Sequence, residues 1–134
     1  MNTYLFWFIQ LTWGILINIP GTILACILLC SGKRPKRYRQ AIYFEAGENW
    51  GGVNFGGFFF IQKNGSDRLK SHEYGHCFQN LYLGPLMPFA VSIPSAVRYH
   101  YRARKIKKGY SLKPYDAFWC ESWATSLGQK HNLK

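Results

Sequence analysis

Three residues in one short stretch have the types and spacing for metal chemistry: His72, Glu73 and His76, in the order H-E-x-x-H. On an α-helix, side chains four positions apart share a face, so both imidazoles can turn a nitrogen toward one ion. Glu73 is rotated by about 100° from His72, which makes it a poor further ligand. It is well placed to take a proton from a metal-bound water, and that division of labour gives H-E-x-x-H its hydrolytic meaning. The pattern predicts Zn2+ as cofactor, His72 and His76 as ligands, and Glu73 as general base.

A catalytic zinc takes three protein ligands and keeps one position open for water. Only two acids, Asp116 and Glu121, follow His76, and His100 and His131 are the remaining nitrogen donors. A histidine six residues beyond His76 would give the metzincin spacing, but position 82 is tyrosine. Asp116 falls where a helix-capping acid is expected, His100 lies in a basic cluster, and His131 belongs to a polar tail that should fray. Glu121 stands among Trp119, Cys120 and Trp123, and a carboxylate in such company needs a partner. By elimination Glu121 is the third ligand. The expected reaction is amide hydrolysis, with a peptide or protein as substrate. For the oxyanion donor, Tyr110, Tyr115 and His100 all remain candidates.

These residues need two helices to hold them. Ser66 or Asp67 can cap a helix that runs to about Leu83, where Gly84-Pro85 ends it. A second helix is expected over 114–128, with proline at its start, Asp116 in its first turn and Gly128 at its end. Between anchor and motif, residues 41–44 and 58–61 have strand composition, and Asn64-Gly65 marks a turn. A strand just before the metal helix is either part of a plain antiparallel hairpin or an edge that pairs with extended substrate. The fold class expected is α+β, mainly helical, with a short antiparallel sheet and two metal-bearing helices.

Charge divides the chain sharply. Residues 1–32 carry none, and all 17 Lys and Arg lie beyond them, giving a net +11. Residues 4–30 are long and apolar enough for a transmembrane helix, with Asn18, Pro20 and Gly21 predicting a kink in its middle. Residues 1–32 are therefore read as an anchor and 33–134 as the metal-binding domain. Five positive charges within residues 33–39 place that flank, and the domain after it, in the cytoplasm. Residues 81–97 form a second apolar run broken by three prolines, followed by a basic-aromatic cluster from Arg98 to Lys108. This run is read as a buried core segment or, as the basic flank favours, as one that contacts the membrane by crossing, dipping or lying on its surface. The basic excess points to anionic lipid headgroups as partner, and no nucleic-acid-binding motif accompanies it. The four cysteines form no C-x-x-C pair, and Cys77 and Cys120 are expected to be reduced, buried fillers.

H-E-x-x-H followed by Glu121-Ser122-Trp123-Ala124 resembles the E-x-x-A signature of the gluzincin zinc metallopeptidases. The longer set formed by His72–His76, Leu83-Gly84-Pro85-Leu86, Ile93-Pro94-Ser95 and residues 121–128 is also similar to a group of small bacterial membrane proteins. The resemblance implies a membrane-anchored peptidase on a minimal zincin-like domain. Membrane gluzincins commonly carry E-x-x-A-D, and here Thr125 replaces the aspartate that would orient a ligand histidine. Asp116 or a backbone carbonyl is the substitute expected. The competing reading is a non-catalytic zinc-binding or lipid-surface protein on the same scaffold.

Overall fold

The computed structural model describes residues 2–109 and 119–132. Its helices are α1 (Thr3–Leu11), α2 (Ile15–Cys30), α3 (Asp67–Leu83), α4 (Ile93–Lys107) and α5 (Trp119–Asn132). Strands β1 (Lys36–Tyr38), β2 (Ala41–Glu45), β3 (Gly52–Phe55) and β4 (Phe58–Ile61) separate the first two helices from the rest. The class is α+β and mostly helical, as the sequence indicated.

The sheet is mixed rather than antiparallel, in the order β1-β2-β4-β3, with β2 and β4 parallel. The cause lies in residues 46–51, where positive φ at Gly47, Asn49 and Gly51 reverses the chain. β3 lands one strand-width away from β2, and the tight turn at Gly56-Gly57 folds β4 into the gap. Stacked pairs Tyr43–Phe59 and Phe44–Phe60 lock the parallel register. β3 is thereby left as an edge strand.

The N-terminal apolar stretch departs from the single kinked span expected. It forms two helices bent by 101°, and no single helix among the described residues is long and apolar enough to cross a membrane. The break falls at residues 12–14, while α2 runs unbroken through Pro20. Asn18 and Gly21 serve packing instead of a kink. The Asn18 amide donates to Gln10 O, Gln10 Oε1 and Gly14 O, and its own oxygen accepts from Gly57 N–H. A Cβ on Gly21 would lie 2.7 Å from the Phe55 side chain, so only glycine lets α2 approach the β3–β4 turn this closely. α1 joins the main core, where Phe6 is buried with Tyr74, Phe78 and Leu127.

α3 begins as expected, with Ser66 Oγ accepting from Leu69 N–H, and ends at Gly84 with φ of 52°. Residues 84–97 are neither a straight span nor a loop. A 3₁₀ turn (Gly84–Leu86) and a π-helical turn (Pro88–Ser92) lead into α4, which carries the basic cluster. The expected start of the last helix, residues 114–118, lies outside the described residues. Its end does not fall at Gly128, because α5 continues to Asn132. Gly128 is instead a contact point, since a Cβ there would sit 1.9 Å from Ser71 O. Gly75 plays the same part from α3, 1.7 Å from Ala124 O by the same measure. The two helices therefore cross almost backbone to backbone, and this sets the separation of the residues they carry. Cys77 and Cys120 are buried free thiols, as expected of fillers.

Candidate metal centre

α3 presents His72 and His76 one turn apart, and α5 brings Glu121 against them. Glu121 Oε2 lies 2.7 Å from His72 Nε2 and 3.2 Å from His76 Nε2. One ligand atom from each residue falls within 4.8 Å of the others, so this His-His-Glu group can hold a metal ion. For comparison, tetrahedral bonds of about 2.0–2.1 Å place ligand atoms roughly 3.3 Å apart. His76 and Glu121 are buried and His72 nearly so.

The far nitrogens of both rings are held from behind. His72 Nδ1 is 2.8 Å from the Thr125 hydroxyl, and His76 Nδ1 is 2.6 Å from Gln79 Oε1. Gln79 Nε2 donates to Cys120 O at 2.7 Å. A carbonyl only accepts, so the amide oxygen of Gln79 must face His76 and receive a proton from Nδ1. In its neutral form His76 then keeps Nε2 bare and directed at Glu121, the arrangement metal binding requires. Gln79 and Thr125 were not singled out by the motif. Gln79 follows His76 by three positions on one helix, a spacing that brings side chains together. Thr125 stands where the signature has an acid, and it takes that acid's place as a hydrogen-bonding partner of His72.

Electrostatics follow from this packing. Burial alone would raise the Glu121 carboxyl, but the hydrogen bonds from His72 and His76 outweigh it and hold the group well below the usual carboxylate range. Burial would lower His76, and the Glu121 hydrogen bond with the charge of Glu73 outweighs that, leaving its pKa raised. Glu73 differs from both. It is 4% exposed, its pKa is raised by burial against the opposing influence of His76 and His72, and Oε2 has no hydrogen-bond partner among the described residues. A buried carboxylate oxygen left unpaired is costly unless something enters the site to meet it.

Comparison with protein-family models, curated proteins and solved structures finds no match.

His72, Glu73, His76, Glu121 and Thr125 open into a groove of about 860 Å³, walled by β3 on one side and by α2, the π-helical turn and α4 on another. Ile17, Met87 and Val91 give this wall an apolar surface. His100 also lines the groove but is not in the ligand group. His131, the other nitrogen candidate, stacks on the Phe78 ring at 3.7 Å. Asp116, Tyr110 and Tyr115 lie outside the described residues. On β3, Gln62 N–H donates to Gly51 O. By the alternation of an antiparallel ladder, the backbone groups of Gly52 and Asn54 then face away from β4, toward an edge that no described strand covers. Asn54 ties this strand to the metal helix, its amide donating to Glu73 O at 3.2 Å.

Proposed function

We propose that this chain is a membrane-anchored zinc-dependent peptidase of gluzincin type, acting on a peptide or protein substrate. The observation that carries the reading is the buried Glu73 carboxyl, whose Oε2 has no partner among the described residues, beside three converging candidate ligand atoms in an open groove. Two imidazole nitrogens and one carboxylate oxygen are a donor set suited to catalytic zinc. His72, His76 and Glu121 would hold the ion. Bound there, zinc would supply an activated water of pKa about 7 and would polarise the scissile carbonyl.

The chain's own residues do the rest. Glu73 accepts the water's proton and delivers it to the leaving amine. Its burial raises its affinity for a proton, which suits a group that must take one from water. Gln79 and Thr125 keep the two Nε2 atoms aimed inward through the cycle. The outer backbone edge of β3, which no described strand covers, aligns an extended chain by strand addition, with the apolar wall of the groove receiving side chains. Thr125, the departure that favoured a non-catalytic reading, holds His72 in the manner expected of the acid it replaces.

Metal analysis and turnover test this together. Purified protein should carry one zinc per chain and cleave an unstructured apolar peptide, and Glu73→Gln should keep the zinc and lose the cleavage. Protein that binds no zinc, or a Glu73→Gln variant with undiminished cleavage, would overturn the proposal.

A further inference from the structure

The bend between α1 and α2 is built into the catalytic fold rather than imposed on a free anchor. Gln10, buried near the end of α1, donates from Nε2 to Cys77 O of the metal helix. Asn80 of the same helix donates to Gln10 Oε1 at 2.5 Å and to Gly14 O at 3.2 Å. Asn18 closes the network from α2 and reaches on to Gly57. Buried amides bonded in this way hold one geometry, because straightening the pair would strand the Gln10 and Asn18 side chains and the Asn80 Nδ2 donor. Gly14 has no room for a side chain, as a Cβ would lie 2.4 Å from Asn80 Nδ2.

α1 also lies alongside the domain. Trp7 Nε1 donates to Gln40 O between β1 and β2, and Phe6 is fully buried in the core against Phe78. The residues around Asn2 therefore cannot be on the opposite side of a bilayer from the sheet while these contacts stand. Lengths agree: α1 has 9 residues and α2 has 16, about 13 Å and 24 Å of helix, against a hydrocarbon core of roughly 30 Å.

The outward faces of these helices remain apolar. Phe8, Ile23, Ile27, Leu86, Phe89 and Val97 are each more than half exposed. α2 and the π-helical turn are one surface, since Ile17, Met87 and Val91 pack them together. Exposed basic residues flank it, with Arg34 and Arg37 after α2 and Arg104, Lys107 and Lys108 at the end of α4. Apolar area edged with cations fits an anionic bilayer surface.

We propose that α1, α2 and the 84–97 segment sit together in one leaflet of an anionic membrane, so that Asn2 and the metal centre are on the same side. The inference rests on the membrane attachment proposed above and not on the catalytic reading. It replaces a crossing anchor with a monotopic platform.

The test is sidedness in the full chain. In a Cys26→Ala, Cys30→Ala background, a cysteine is added ahead of Met1 or introduced as Lys107→Cys. Each is probed with a membrane-impermeant maleimide in bacterial spheroplasts and in inverted membrane vesicles. Both positions should be protected in spheroplasts and labelled in inverted vesicles, switching together. Labelling from opposite sides, or recovery of the protein in the soluble fraction, overturns the proposal. Flotation adds a second readout: vesicles containing roughly one-third phosphatidylglycerol should bind the purified chain about tenfold or more tighter than pure phosphatidylcholine vesicles. Equal affinity, or self-association without vesicle binding, overturns the anionic leaflet as occupant. Neither readout involves metal or turnover, so an inactive site leaves it unaffected.

Discussion

The hydroxyl of Thr125 stands 2.8 Å from Nδ1 of His72 and fixes which nitrogen of that ring faces Glu121. A threonine reaches less far than an aspartate, and the contact is possible because α5 approaches α3 backbone to backbone at Gly75 and Gly128. Removing the hydroxyl should loosen the ring. Thr125→Val is expected to weaken zinc binding by about 10–100-fold in chelator competition, with Thr125→Ser close to wild type. A valine variant that binds as tightly as wild type would show that the hydroxyl does not position His72.

The parts of the site with local signals were legible in the sequence. Ser66 and Gly84 bounded α3, H-E-x-x-H pointed to two of the three side chains that converge, and the scarcity of acids pointed to Glu121 as the other. What was not legible depends on distant partners. The break at residues 12–14 is set by Asn80, some 66 positions away from Gly14, while Pro20, the obvious local disruptor, lies within an unbroken helix. Gly128 read as a helix end, yet its role is a close approach to Ser71 on another helix. The parallel pairing of β2 with β4 likewise depends on where β3 lands, and composition does not encode that.

Glu73→Gln should separate chemistry from folding. Cleavage is expected to fall by roughly 10²–10⁴-fold at unchanged zinc content, the usual range for loss of a general base. Metal-free stability should move the other way. Because burial raises the folded-state pKa of Glu73 above its unfolded value, the wild type loses stability as pH rises from the ordinary carboxylate range through that raised value. Thermal melts of the metal-free variant should show a weaker dependence over this window and a higher Tm at neutral pH. A lower Tm would mean that the Glu73 carboxylate has a partner in the folded chain.

Metal affinity should depend on pH through His76. Its raised pKa means that, without metal, the ring holds a proton to a pH above its ordinary value of 6.5. Zinc must displace that proton, so apparent affinity should rise about tenfold per pH unit below the folded-state pKa and level off above it. Glu121 does not compete in this range, because its carboxyl is already held low. The metal-free protein has the opposite trend: the stability contributed by the His76–Glu121 pair is present below the unfolded value and lost as pH rises through the folded one. Isothermal titration across neutral pH checks the first trend. A break at or below the ordinary histidine value would contradict the geometry of the Glu121 contact.

The helix crossing itself can be tested at Gly75. A methyl group there would sit 1.7 Å from Ala124 O, a backbone atom that has no rotamer through which to escape. Gly75→Ala must push α5 away from α3, and overpacking of this kind costs about 1–3 kcal/mol or more. The displacement should also carry Glu121 from His72 and His76, so zinc affinity and stability ought to fall together. Ser126→Ala, on the exposed side of α5, is the control expected to leave both near wild type. If Gly75→Ala lowers the Tm while zinc binding stays intact, the ligand separation is set by something other than the glycine crossing.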